Sequence, residues 1–230
     1  MAGLATLVPL KKESLDRTAA SSLRNAILNG ALVQGSRLTE ARLAERFSLS
    51  RGTVRAALHR LVTEGLVVQR PYSGWDVVAL SLRDARELAE LRSSLEALAA
   101  RLTADRIDDT GRAAIRAAFE TLHAAARANR VSDVVAADME LHRTIVELSG
   151  NRRLCEHYDM IANQVRLYIA SSTMVVEGMA TVVARHAEMI EPILRGAASD
   201  AEAAARAHSV RSGEEIAAHL QHEPGRAKVS

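Results

Sequence analysis

The chain has 230 residues, is 48% hydrophobic and 25% charged, and so is long enough for two modest domains with real cores. Its one cysteine, Cys155, excludes an internal disulfide and a cysteine-built zinc module; MAGLATLVPLKK places its apolar run before its lysines, the wrong order for a signal peptide; and no apolar run approaches the roughly 18 residues of a membrane span. The net charge of +2 is unevenly spread: residues 1–80 hold 11 Lys/Arg against 6 Asp/Glu, a net of +5, and residues 81–230 hold 19 against 22, a net of −3, which points to a polyanionic partner for the first part alone.

In chain order, residues 13–29 read as a helix, with Leu15, Ala19, Leu23, Ala26 and Ile27 at helical spacing and Gly30 closing it. A loop holding Gly35 follows. Thr39 is the N-cap candidate of a short helix, TEARLAERF. Ser48-Leu49-Ser50 breaks it, and Ser50 caps the next helix, RGTVRAALHRLVTEG, which Gly65 ends. Two β-branched runs, 66–69 and 75–79, flank Pro71-Tyr72-Ser73-Gly74 and predict a hairpin. From Ser81 the pattern is helical only: 82–107, 110–129, 133–149, 151–176, 179–195 and 199–220, with Ser81-Leu-Arg-Asp84 resembling a capping box. Short connections imply antiparallel neighbours, hence a bundle. The expected fold is mainly α: an N-terminal winged helix-turn-helix domain (1–80) and a C-terminal all-α antiparallel helical bundle (81–230).

Three helices and a hairpin suit a DNA reader, because one helix must enter the major groove with donors on its leading turns. Arg51 and Arg55, at i and i+4, project together, and each guanidinium can fork onto guanine or phosphate. Ser50 and Thr53 add short donors near the helix N-terminus, where backbone N–H groups favour phosphate. Val54, Ala57, Leu58 and Leu61 form the opposite, core-facing stripe. A solvated face is the plain alternative for the two arginines, and the wing and preceding helices argue against it. The stretch GSRLTEARLAERFSLSRGTVRAALHRLVTEGLV, with RPYSGWDVV, resembles the N-terminal domain of GntR-type regulators over about residues 14–80. That resemblance implies DNA contacts from Arg51, Thr53 and Arg55, and a minor-groove approach at Gly74. A basic family position in the second helix is Ala41 here, which leaves Arg37 and Arg42 as substitutes.

Three of the eight histidines fall on helices expected to be buried. Asp138 and His142, at i and i+4, share a helix face in a two-ligand arrangement. His186 and His208 are symmetric about residue 197, inside the turn at Gly196, so an antiparallel hairpin sets them level. Reflection through the other turns brings residue 92 to the same height, and residues 158 and 170 on either side of Arg166. A histidine in an alanine-rich helix is more often simply hydrogen-bonded, so a metal site and a plain polar cluster both stand at this point.

Residues 86–105, then DMELHRTIVELSGN, RHAEMIEPILRG and AHSVRS, resemble the FCD ligand-binding domain of the FadR-like GntR branch; six helices resemble its VanR-like subgroup. The resemblance implies a metal ligand set of Asp138, His142, His186 and His208. Three imidazoles and a carboxylate suit a divalent ion, Zn²⁺ or Ni²⁺. With octahedral coordination, two positions are left for water or a small carboxylate effector, with Arg92 as its clamp and Arg166 as a second candidate. An i, i+4 ion pair with Glu96 is the alternative role of Arg92. The expected protein is a cytoplasmic homodimeric regulator, acting as a repressor on an inverted-repeat operator in double-stranded DNA, with no membrane partner and no enzymatic activity. A metal-responsive regulator without an organic effector, and a metal-dependent hydrolase, are the competing readings.

Overall fold

The computed structural model describes residues 14–70, 74–79, 81–176 and 178–222. The head consists of α1 (Leu15–Leu28), β1 (Arg37–Leu38), α2 (Glu40–Phe47), α3 (Arg51–Thr63), β2 (Val67–Arg70) and β3 (Gly74–Val77). The Ser50 side chain accepts the Thr53 backbone N–H and so caps α3 as expected. Thr39 does stand at the N-cap of α2 with extended dihedrals, but it makes no capping bond. Its Oγ1 is buried without a hydrogen-bond partner among the described residues. The hairpin of β2 and β3 forms in antiparallel register, Val67 opposite Val77 and Arg70 opposite Gly74; Pro71, Tyr72 and Ser73 lie outside the described residues. One element was not expected. Arg37 and Leu38 form β1 on the free edge of β3, giving the sheet order β1-β3-β2. A two-residue strand carries no period that a sequence can display. Leu23, Ile27, Val54, Leu58, Leu61, Leu66, Trp75 and Val77 close the head core.

The body is α4 (Leu82–Arg106), α5 (Asp109–Arg127), α6 (Val131–Leu148), α7 (Arg152–Val176), α8 (Met179–Arg195) and α9 (Ala198–His222). Ser81 accepts the Asp84 N–H, and Asp108 accepts the Gly111 N–H, which fixes where α4 and α5 begin. Gly196 at φ +75° ends α8 in the left-handed conformation, so α9 folds straight back. Helices α4 and α9 run antiparallel in close contact: Glu96 meets Ser209, Arg101 meets Glu202, and a Cβ placed on Gly213 would lie 2.3 Å from that of Ala89. Only glycine at 213 permits that approach. Ile115, Leu122, Leu141, Ile145, Met189 and Ile193 anchor the main body core.

Helix α7 touches both halves. Leu167 and Tyr168 join the head core, as does Ile216 of α9. Asn163 donates to Glu64 at the end of α3 (3.0 Å), and Glu64 also holds Arg24 of α1 through two bonds of 2.5 and 2.6 Å. Gln164 lies over Gly65, whose φ is +66°. Among the described residues, no helix is long and apolar enough to cross a membrane.

Candidate functional site

The outer face of the head is built on α3. Arg51 and Arg55 are both exposed on it, while Val54, Ala57, Leu58 and Leu61 are buried behind. Thr53 is half-buried, and its hydroxyl lies 2.9 Å from that of Ser50. Arg37 projects from β1 and Arg42 from α2, both exposed, and Gly74 opens β3 at φ +104°. All seven expected DNA-contact positions therefore belong to α3, the wing or the elements beside them. Sequence reading did not foresee Glu40, the first residue of α2. Its two oxygens accept Arg55 Nε (2.8 Å) and NH2 (2.7 Å), and Oε1 also takes the Trp75 indole N–H at 3.2 Å. Those contacts hold the Glu40 carboxyl below its ordinary range, Arg55 first among them.

The second site is buried in the body. Asp138 and His142 on α6 and His186 on α8 are buried, and His208 on α9 is half-buried. One nitrogen from each of the three histidines lies within 4.8 Å of the other two. His186 Nδ1 faces the Val182 carbonyl at 2.8 Å; a carbonyl only accepts, so Nδ1 is the donor there and Nε2 is the nitrogen turned to the cluster. That Nε2 is 2.7 Å from Asp138 Oδ1 and 3.3 Å from His142 Nε2. Arg92 NH2 donates to His142 Nε2 at 3.2 Å, which puts the His142 proton on Nδ1, 3.1 Å from Glu96 Oε1. Electron-rich atoms of three residues thus converge, an arrangement that calls for a shared proton or a cation between them. Asp138 Oδ2 is buried with no hydrogen-bond partner among the described residues, a costly state for a carboxylate oxygen. Imidazoles oriented through Nδ1 by a carboxylate and a carbonyl are the usual support of metal-ligating histidines. The donor set fits a divalent cation.

Glu96 organises the cluster. It accepts Arg92 Nε (2.8 Å), Tyr158 Oη (3.1 Å) and Ser209 Oγ (2.6 Å) as well as His142. Burial alone would raise the Glu96 carboxyl, but Arg92 and His142 hold it well below its usual range. Burial would likewise raise Asp138, and His186, His142 and Arg92 hold it low. For Arg92 burial works downward, yet Glu96, Tyr158 and Asp138 leave its affinity for the proton raised. Burial first, then His186, His142 and Arg92, pushes His208 well below the ordinary histidine range, so it is a neutral donor.

Of the two roles weighed for Arg92, the ion pair with Glu96 is visible through its Nε, while its NH2 reaches His142. Arg166 is not brought in. It is half-buried and, among the described residues, forms no hydrogen bond or ion pair. Eight residues past Tyr158, it is turned by about 80° and displaced by about 12 Å along α7. Reflection of His142 through the turn at Gly150 had pointed to residue 158 itself, and Tyr158 is the α7 residue in the cluster. Two small cavities flank it, one of about 20 Å³ beside Arg92, Tyr168 and Ser209, the other of about 10 Å³ beside Glu96, His142 and Met189. Each holds no more than a water or a methyl group.

Comparisons with known proteins agree with both halves. Residues 15–77 match the gntR family of bacterial regulatory proteins, and residues 87–211 match the FCD domain. The chain is 25% identical over 206 residues to the HTH-type transcriptional regulator YdhC of Bacillus subtilis (strain 168), covering 88% of this chain and 89% of that protein. It is also 25% identical over 127 residues to the HTH-type transcriptional repressor RspR of Escherichia coli (strain K12), 55% of this chain and 56% of that one. The solved structure of E. coli McbR/YncC superposes with a TM-score of 0.71 at 20% identity, over 93% of this chain and 100% of that one, which shows a shared fold. These relatives are regulators rather than enzymes. With a family match to each half and a helix-turn-helix head on a helical body, the chain belongs to the GntR family of bacterial transcriptional regulators and carries an FCD domain.

Proposed function

We propose that the chain is a cytoplasmic, homodimeric repressor. Residues 1–80 read an inverted-repeat operator, and residues 81–230 bind a divalent metal and a small organic acid that controls the head. Protein two-fold symmetry matches operator palindromy, and the named repressor RspR supports repression. Arg51, Arg55, Ser50, Thr53 and Gly74 carry the DNA contact, with Arg37 and Arg42 at its margin. Asp138, His142, His186 and His208 hold the metal, Zn²⁺ or Ni²⁺, which when bound supplies positive charge to attract a carboxylate. Arg92 turns its NH2 toward the same point and is the effector clamp; Arg166 stands outside it. The observation that carries this reading is the convergence of Asp138 Oδ1, His142 Nε2 and His186 Nε2, with Asp138 Oδ2 left without a partner among the described residues.

The test is elemental analysis of purified protein, followed by a thermal-shift screen of small organic acids on Zn²⁺-loaded protein. One equivalent of metal per chain is expected, and His208→Ala should lose it. An acid that raises Tm in the wild type should fail to do so in Arg92→Met. Protein that retains no metal and takes up none on titration would end the reading. The small size of both cavities favours a second reading, in which the metal itself is the signal. Operator affinity that tracks free metal with no acid present would select it.

A further inference from the structure

We propose that Glu40 is a positioning residue for DNA recognition: it grips one edge of the Arg55 guanidinium so that the opposite edge faces a guanine. The proposal rests on the reading of α3 as the groove-entering helix. A guanidinium has two forked edges, one formed by Nε and NH2, the other by NH1 and NH2. Glu40 occupies the first with both of its oxygens, at 2.8 and 2.7 Å. The second keeps two parallel N–H groups, the fork that matches guanine O6 and N7. Glu40 is itself held. Its side chain is 20% exposed against 58% for Arg55, and it accepts the indole N–H of Trp75. Trp75 is buried on β3 and stands edge-on to His59 of α3, ring centroids 4.8 Å apart. One carboxylate therefore ties α2, α3 and β3 to the guanidinium. A long side chain fixed beforehand loses less freedom on binding than a loose one. Arg51, one turn earlier on the same face, makes no ion pair among the described residues, and is left to follow the phosphates.

The experiment is selection from a pool of random-core DNA duplexes, with sequencing of the bound fraction. It is run on the wild type, Glu40→Gln, Arg55→Ala and the double variant. Fluorescence anisotropy on the selected duplex and on an unrelated one gives affinities, and circular dichroism melting confirms folding. Arg55→Ala should flatten a guanine preference at one position of each half-site. Glu40→Gln should weaken that same preference about tenfold, while affinity for the unrelated duplex stays level or rises because a negative charge is gone. The double variant should match Arg55→Ala, since the carboxylate acts through the arginine. Trp75→Phe, which keeps both charged groups but loses the indole donor, should give a smaller loss at the same position. A guanine preference lost in Arg55→Ala but intact in Glu40→Gln would overturn the positioning role and leave Arg55 as the reader. A loss at a different base pair in Glu40→Gln would overturn it too, showing that Glu40 contacts a base itself. An Arg55→Ala profile identical to the wild type would remove the reading beneath it.

Discussion

The protein uses one pair chemistry in two settings. In the body, Arg92 Nε meets Glu96 Oε1 at 2.8 Å with both side chains 5% exposed or less; in the head, Arg55 Nε meets Glu40 Oε1 at the same 2.8 Å with the arginine largely in water. Geometry alone would favour the outer pair, in which both Glu40 oxygens take the guanidinium, whereas Arg92 meets Glu96 Oε1 through Nε. Burial separates them, because neither member of the inner pair can exchange its partner for water without a large desolvation cost. The outer pair is screened and adds little stability, and its guanidinium keeps an open edge for an arriving base. The inner pair is scaffolding around a site; the outer pair is an aiming device.

The largest effect that would sharpen this contrast is Glu96→Ala. It leaves Arg92 as an unpaired buried charge and strips His142, Tyr158 and Ser209 of their acceptor, so unfolding in urea should show a loss of about 3–5 kcal/mol. A small loss would break the contrast. Arg55→Ala should do the reverse: Tm unmoved, operator binding weaker on the order of ten- to a hundredfold by anisotropy. A drop in Tm would mean that its ion pair is structural after all. Gly65→Ala is the smallest. The residue sits at φ +66°, where a Cβ is strained by about 1–2 kcal/mol, and the new methyl would meet the end of Gln164. Thermal melting should report that loss, and limited proteolysis should cut faster where the head meets α7.

Much of the fold was written in local punctuation. Ser50, Ser81, Gly196 and the spacing of Val54, Ala57, Leu58 and Leu61 mark their elements unaided, because caps and helical periods are short-range. The metal quartet was half legible: i, i+4 spacing links Asp138 to His142, and the turn at Gly196 levels His186 with His208, but the partners of these residues come from other helices. Glu96 was read only as a neighbour of Arg92, and nothing local reveals that it also receives Tyr158 and Ser209. Glu40 was hidden for the same reason: its arginine lies 15 residues on and its tryptophan 35. Thr39 shows the opposite failure, a good capping residue at the right place whose hydroxyl is turned away from the work.

Helix α7 carries Tyr158 against Glu96 and, five residues later, Asn163 against Glu64 at the tip of α3. An α-helix is close to incompressible along its axis, and those two anchors are only about 7.5 Å apart on it. They therefore cannot shift lengthwise by different amounts. Any displacement that drags the tyrosine drags the amide with it, at full stroke. The same rod works in reverse, so a lengthwise shift imposed on Asn163 by Glu64 reaches Tyr158 undiminished.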